Sequence, residues 1–334
     1  MIAVGQGVRQ WLKLVDRAHA PVRPARRRGH PYVYSSSVLL RCYLLMLIYP
    51  KARGYSGLVR FLAGHGLVRR LVGLKKMPHR TTFMRRLKTM DGELRLRIRS
   101  MGAAFITAGI VEVHVLLADG SLHRAAGPEW PARYQKCGEM PKKLRHVDRS
   151  AGWGKSPYHG WVWGYRSHPV VGLTADQQPI PLLAEVAPAN LQDNTLLRGL
   201  LAELPAQASV LVLDSSYEDR HLVEAWTQHD EAGLLTRWLV IDPKKRKGRP
   251  AAWRQQLQVW RQIEEVDLYR LRSKRIEPFF AHWKEAFDLD RLPVQGAAAV
   301  SYLLLALYAY QLLIWANHHA GRPTYAYTWL LEAS

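Results

Sequence analysis

Three carboxylates in this chain stand where they could work together. Asp119 closes the apolar run Val113–Ala118, Asp214 closes the run Ser209–Leu213, and Glu277 opens a helical pattern with Phe279, Phe280 and Trp283 on one stripe. Strand ends at one edge of a sheet are stiff places from which side chains can converge. Two or three converging carboxylates suffice for magnesium, a hard cation that prefers oxygen ligands and keeps several waters. Two such ions about 3.5–4 Å apart suit phosphodiester cleavage, one at the attacking oxygen and one at the leaving oxygen. Each acid also has a plainer use. Asp119-Gly120 suits a hairpin turn, Asp214-Ser-Ser suits a helix N-cap, and Glu277 suits the positive end of a helix dipole. Their order along the chain, each on its own element, favours a common site.

Such a site needs a sheet to stand on. Trp161–Leu173 and Ile180–Val186 predict two strands of a hairpin, Asp193–Glu203 and Glu218–His229 two helices, and Trp238–Ile241 a further strand. Asn190 and Asp193 suit a cap on the first of those helices. Residues 127–160 lack periodicity and predict a long irregular loop. A basic insertion, KKRKGRP, and a polar helical piece from Trp253 to Glu265 fill residues 242–265. Strand, hairpin, helix, strand, helix, strand, helix is the order of an α/β, ribonuclease-H-like domain, a mixed sheet flanked by helices, here over 111–320 with a tail at 321–334. Gly296–Trp315 carries no charge for twenty residues, long enough to span a bilayer. A lone span without a strong basic flank is the weaker reading, so a core helix packed on the sheet, and no membrane, is expected. Pro278 predicts that the helix around Glu277 begins at Ile276 or Glu277, or kinks there, after an irregular Ser273–Arg275.

The charge is lopsided. The net charge is +21, yet residues 1–100 hold 22 Lys and Arg against 3 Asp and Glu, while the other 234 residues are nearly balanced. That distribution points to a polyanionic partner, nucleic acid ahead of a membrane surface. A basic arm at 1–30 precedes an apolar helix at Ser35–Tyr49, two short helices at Tyr55–Ala63 and Leu67–Leu74, and a helix after Pro78 capped by Thr81 or Thr82. The last puts Arg85, Arg86 and Lys88 on one side, as a helix lying against DNA would. A helix over Glu93–Ile110 predicts the domain boundary, and a fragment 1–110 is expected to bind duplex DNA by itself. Cys42 and Cys137 are too few for a disulfide framework or structural zinc, which suits a reducing cytoplasm.

Several stretches resemble a known family. Tyr269–Lys284, YRLRSKRIEPFFAHWK, resembles the Tyr-Arg-Glu-Lys signature of DDE transposases of bacterial insertion sequences, the IS-four type, in which three residues separate Arg from Glu. Here four separate Arg272 from Glu277. ADGSLHRA, GYRSHPVVGLTADQQPIPLLAEVAPANLQD and VLVLDSSYED are similar to that family's first-aspartate, hairpin and second-aspartate blocks, and YSGLVRFL and PHRTTFMRRLK to its N-terminal region. The resemblance runs over about residues 35–317. It implies Asp119, Asp214 and Glu277 as catalytic and metal-binding residues, with Mg2+ as the ion and Mn2+ able to replace it. It implies Tyr269, Arg272 and Lys284 as contacts to double-stranded DNA near the cleaved end, and homodimers working on paired terminal inverted repeats in a bacterial cytoplasm. With the extra residue, Arg270, Lys274 or Arg275 could take the phosphate contact. Arg166 and His168 could touch phosphate from the hairpin, Lys244, Lys245, Arg246 and Lys247 could clamp DNA, and Trp153, Trp161, Trp163 and Trp253 could stack on a base. Two other readings remain: a nuclease or resolvase of the same fold without strand transfer, and an inactive transposase-derived DNA-binding protein.

Overall fold

Apolar, β-branched runs supply the central strands, and helices cover them. The computed structural model describes residues 33–139, 144, 146–156, 160–241 and 266–327, with residues 9, 12 and 13. The basic arm, Lys244, Lys245, Arg246, Lys247 and the piece Trp253–Glu265 lie outside the described residues. Five helices come first: α1 (Ser36–Ile48), α2 (Gly54–Gly64), α3 (Gly66–Leu71), α4 (Arg80–Leu87) and α5 (Asp91–Thr107). Strands β1 (Glu112–Ala118) and β2 (Ser121–Arg124), helix α6 (Ala132–Cys137), and strands β3 (Gly152–Ser156), β4 (Gly160–Leu173) and β5 (Pro179–Pro188) follow. Then come α7 (Asp193–Leu200), β6 (Val210–Leu213), α8 (Arg220–Trp226), β7 (Gln228–His229) and β8 (Leu235–Ile241). The chain closes on α9 (Val266–Leu271), a π-helical turn at Arg272–Ile276, α10 (Glu277–Phe287) and α11 (Ala297–His319).

The sheet is mixed. Strand β4 runs antiparallel to β1, β2, β3 and β5, while β6 runs parallel to β1 and β8 parallel to β6. Strands β5, β4, β1, β6 and β8 thus stand side by side in the arrangement of a ribonuclease-H-like fold. Strands β1 and β2 keep one register against β4: Ala118 pairs with Val170 and Ser121 with Ser167. They are one strand interrupted at Asp119-Gly120, which that register sets opposite Pro169 and His168. Proline has no N–H to offer, so the ladder lets go where Asp119 sits. The hairpin-turn reading of Asp119-Gly120 is therefore replaced by a break within a single line.

Four boundaries differ from expectation. The stretch expected as an irregular loop over 127–160 contains α6 and β3, whose Gly152 and Gly154 lie too close to Asn190 and Ala189 to carry a side chain, which hid the strand pattern. Helix α4 is capped by His79, whose Nδ1 accepts from the Thr81 amide at 3.4 Å, not by Thr81 or Thr82. Helix α8 spans only Arg220–Trp226, because Asp219 caps it at its start. Helix α7 gives way to a 3₁₀ turn at Leu201–Glu203.

Helix α11 is long and apolar enough to cross a membrane, but nearly all of it is buried inside the protein. Its Gln311 Nε2 donates to the carbonyls of Ile98 on α5, at 3.0 Å, and Pro181 on β5, at 2.8 Å, and its Asn317 Nδ2 donates to the carbonyls of Thr324 and Ala326, so both buried amide groups donate to protein. Helix α5 packs on β5 so closely that a Cβ on Gly102 would stand 2.5 Å from the Leu182 carbonyl oxygen. Tyr43 of α1 donates to the Phe83 carbonyl of α4 at 2.7 Å. Arg53 reaches the far end of the chain, donating to the carbonyls of Asp288 and Arg291 and pairing with the Asp288 carboxylate. The texture changes near residue 110, but one hydrophobic core runs across that point, from Leu39 through Phe105 to Leu213 and Leu313.

Candidate active site

Strands β1 and β6 are parallel neighbours with Val115 beside Val210 and Leu117 beside Val212. The same offset, two residues on, sets Asp119 beside Asp214 at the carboxyl ends of adjacent strands, where chains stand about 4.8 Å apart. Asp214 turns one oxygen back to cap its own turn, accepting from the Ser216 amide at 2.7 Å and its hydroxyl at 2.5 Å. The cap reading of Asp214 therefore holds, and the strand register sets the same residue beside Asp119. Asp119 Oδ1 accepts from the Gly120 amide at 2.8 Å, and Oδ2 accepts from Arg272 Nη1 at 3.0 Å. Burial, and next the charge of Asp214, push the Asp119 carboxyl up to about 6, against the pull of Arg272 and Gly120.

Arg272 is the cation of this pair of acids. Burial works against its charge, but Asp119, Asp214, Tyr269 and Glu277 outweigh burial and hold its pKa above the usual arginine value. Its guanidinium stands 6.0 Å from the centre of the Tyr269 ring. Glu277 is exposed at the first position of α10. Lys284, two turns further on, donates to the Leu122 carbonyl of β2 at 3.0 Å, and burial lowers its pKa. Arg275 donates to Gln177 in the β4–β5 turn at 2.9 Å, while Arg270 and Lys274 are exposed.

The extra residue before Glu277 is not absorbed in an irregular segment. Leu271, Ile276 and Glu277 all have right-handed helical backbone, and the chain between them is the π-turn. Proline has a physical part in this: in a regular α-helix its ring strikes the carbonyl four residues back, here that of Lys274. A wider turn at that point relieves the clash, and single π-turns inside helices are the usual form of such relief.

On the hairpin side the structure corrects two expectations. His168 is fully buried, its Nε2 2.6 Å from the Tyr217 hydroxyl, and burial lowers its pKa to about 3. It supports Tyr217 and does not reach a DNA surface. Tyr217, the third residue after Asp214, is itself fully buried, with its pKa raised by burial first and then by Asp119 and Asp214. Its role in lining the site was missed from sequence, although its spacing from Asp214 was visible. Asp193 caps nothing; Gln192 holds the N-cap position of α7 and makes no side-chain bond there. Asp193 instead pairs with Arg166, and its carboxylate occupies the place where a side chain on Gly120 would be. Arg166 is thereby drawn in beside the acids: burial lowers its pKa, and Tyr217, Asp119 and Asp214 oppose that.

In the helical region, Arg85 and Lys88 are exposed on α4, whereas Arg86 turns inward and donates to Ser36 at 3.0 Å. Trp161 is 63% exposed, but Trp163 is buried and Trp153 packs beside it, with ring centres 5.5 Å apart.

The donor set fits a hard divalent cation in part. Two carboxylates stand side by side, and a cation would offset the burial and, next to it, the repulsion from Asp214 that raise the Asp119 pKa. Among the described residues no three His, Cys, Asp or Glu side chains stand close enough to hold a metal, so Glu277 is near Arg272 without completing a set.

A comparison with curated proteins gives no match. The family described as the Transposase DDE domain matches residues 114–312. That span begins inside β1, ends inside α11 and takes in Asp119, Asp214 and Glu277. Covering more than half of the chain, and set on this sheet with its two neighbouring acids, the match means that the chain belongs to the DDE transposases.

Proposed function

We propose that this transposase is of the insertion-sequence type with a Tyr-Arg-Glu-Lys signature. It binds the ends of its element, cleaves a phosphodiester bond there and joins the freed 3′ hydroxyl to target DNA. The observation that carries this reading is the Asp119–Asp214 pair on adjacent parallel strands, with Arg272 on Asp119. The family uses divalent metal ions and its substrate is DNA. Asp119 and Asp214 would hold such ions, Mg2+ or Mn2+, with Glu277 as the third carboxylate. Bound ions would supply activation of the attacking oxygen and stabilisation of the leaving one.

The protein's own residues do the rest. Arg272 balances the charge of Asp119 before metal arrives and afterwards stands beside the reacting phosphate, as a planar donor suited to its oxygens. Arg166, held by Asp193, adds a second cation close enough to feel both acids. Tyr217 and His168 give the acids a dry, rigid floor, which strengthens every charge interaction above it. Tyr269, Arg270, Lys274 and Arg275 flank that site, Arg85 and Lys88 extend the contact along the duplex, and a homodimer would pair two element ends.

The test is a supercoiled plasmid carrying the DNA that flanks the gene, incubated with the purified protein and Mg2+ or Mn2+. Joined products bounded by a short target duplication are expected. Cuts without joints would make the protein a nuclease, and binding without any metal-dependent cut would make it a DNA-binding remnant.

A further inference from the structure

The π-turn at Arg272–Ile276 solves a problem of phase. Successive residues of an α-helix are about 100° apart, so residues four apart lie about 40° from each other and residues five apart about 140°. Arg272 and Glu277 are five apart. In an unbroken α-helix Glu277 would point away from the face on which Arg272 bonds Asp119. A turn closed by i→i+5 bonds uses one more residue than an α-turn, and so returns Glu277 toward that face. Lys284, seven residues on and again in phase, bonds the Leu122 carbonyl on the same strand line as Asp119. The helix is thus pinned to β1–β2 at two points, Arg272 on Asp119 and Lys284 on Leu122, with Glu277 between them. Glu277 is the last, after Asp119, Asp214 and Tyr269, of the groups whose charge holds the Arg272 pKa up. Ile276, Phe279, Phe280, Trp283 and Phe287 fill the buried face.

We infer that the π-turn is a register corrector: it absorbs one surplus residue so that Glu277 joins the Arg272–Lys284 stripe, and Glu277 is a positioned metal-site carboxylate for that reason. This rests on the reading of Glu277 as the third carboxylate, and its test separates the two. Mn2+ binding to the full chain, followed by electron paramagnetic resonance, needs no knowledge of the element's ends. Deleting Ser273, an exposed residue whose hydroxyl bonds the nearby Arg270 carbonyl, leaves three residues between Arg and Glu. An ordinary α-helix then restores the phase, and Mn2+ affinity should stay within about twofold of the parent. Inserting one alanine between Ser273 and Lys274 turns Glu277 away by about 100° and should weaken binding tenfold or more, as should Glu277→Gln.

Thermal melts check that each variant is folded. Should the Ser273 deletion unfold the protein, deletion of Lys274 gives the same phase, and unfolding of both would overturn the inference, since the π-turn would then be required by the fold. If Glu277→Gln binds Mn2+ like the parent, the third-carboxylate reading fails. If Glu277→Gln weakens binding but the insertion does not, or both folded deletions do, the register inference alone fails.

Discussion

Asp119 carries opposite consequences for the fold and for metal. Its pKa in the folded chain, about 6, is raised above the ordinary aspartate value of 3.8, chiefly by burial. A charged Asp119 therefore weighs against the metal-free fold at neutral pH, and that penalty is relieved as pH falls from about 6 toward 4. Divalent ions need the ionised form, so their affinity should drop up to tenfold per unit as pH falls below about 6, measurable by Mn2+ titration at pH 5, 6 and 7. Asp119→Asn should abolish metal-dependent cleavage yet stabilise the metal-free protein. Two pKa units correspond to about 3 kcal/mol, and the pull of Arg272 is already counted in that net shift. A gain of up to about 3 kcal/mol, read as a higher melting temperature by calorimetry, is expected; a clear fall in melting temperature would mean that the Arg272 bond dominates. Asp119 and Asp214 were legible in the sequence because each ends an apolar strand. Asp193 was not, because a carboxylate at a helix start looks like a cap unless its partner Arg166, 27 residues earlier, is known to lie beside it.

At the scale of elements, apolar pattern was a good guide wherever a segment is buried on its own account. The strands β1, β4, β5, β6 and β8 and the helix α11 all follow from it. It failed where structure depends on a neighbour: β3 is visible only as the partner of β4, and the π-turn only through the combined demands of Pro278, Asp119 and Leu122. Two substitutions test the packing. Gly102→Ala gains about 1 kcal/mol of helix propensity, but its Cβ meets the Leu182 backbone, and overpacking of this kind costs about 1–3 kcal/mol. A lower midpoint in urea is expected; a higher one would show that α5 can lift off β5 freely. Leu305→Asp places an unpaired charge at a fully buried position of α11 and should leave no folded protein by circular dichroism, whereas an ordinary melt would refute the buried placement of that helix.

For the whole molecule, the shared core revises what a fragment can show. Residues 1–110 end where α5 still needs β5 and α11, so that fragment should not fold alone, and one-dimensional NMR of it should show no dispersed methyl signals. Duplex binding is expected of the full chain instead, with affinity falling steeply in salt. Arg85→Ala and Lys88→Ala should each lower the slope of log affinity against log salt by about 1; unchanged slopes would place the duplex elsewhere. The charge asymmetry that suggested a separate basic module was real, but charge is a surface property and says nothing of where a core ends. The clasp of Arg53 on Asp288 and Arg291 has a further consequence. A module on a flexible linker samples a range of separations, and its cuts would scatter along the duplex. Here one hydrophobic core joins α4, through Phe83 and Leu87, to the strands β1 and β6 that end on the acids. On the proposed function the protein would then act as a ruler: the number of base pairs between the sequence it grips and the bond it breaks would be set by the fold, and mapped cleavage ends should fall at one phosphate.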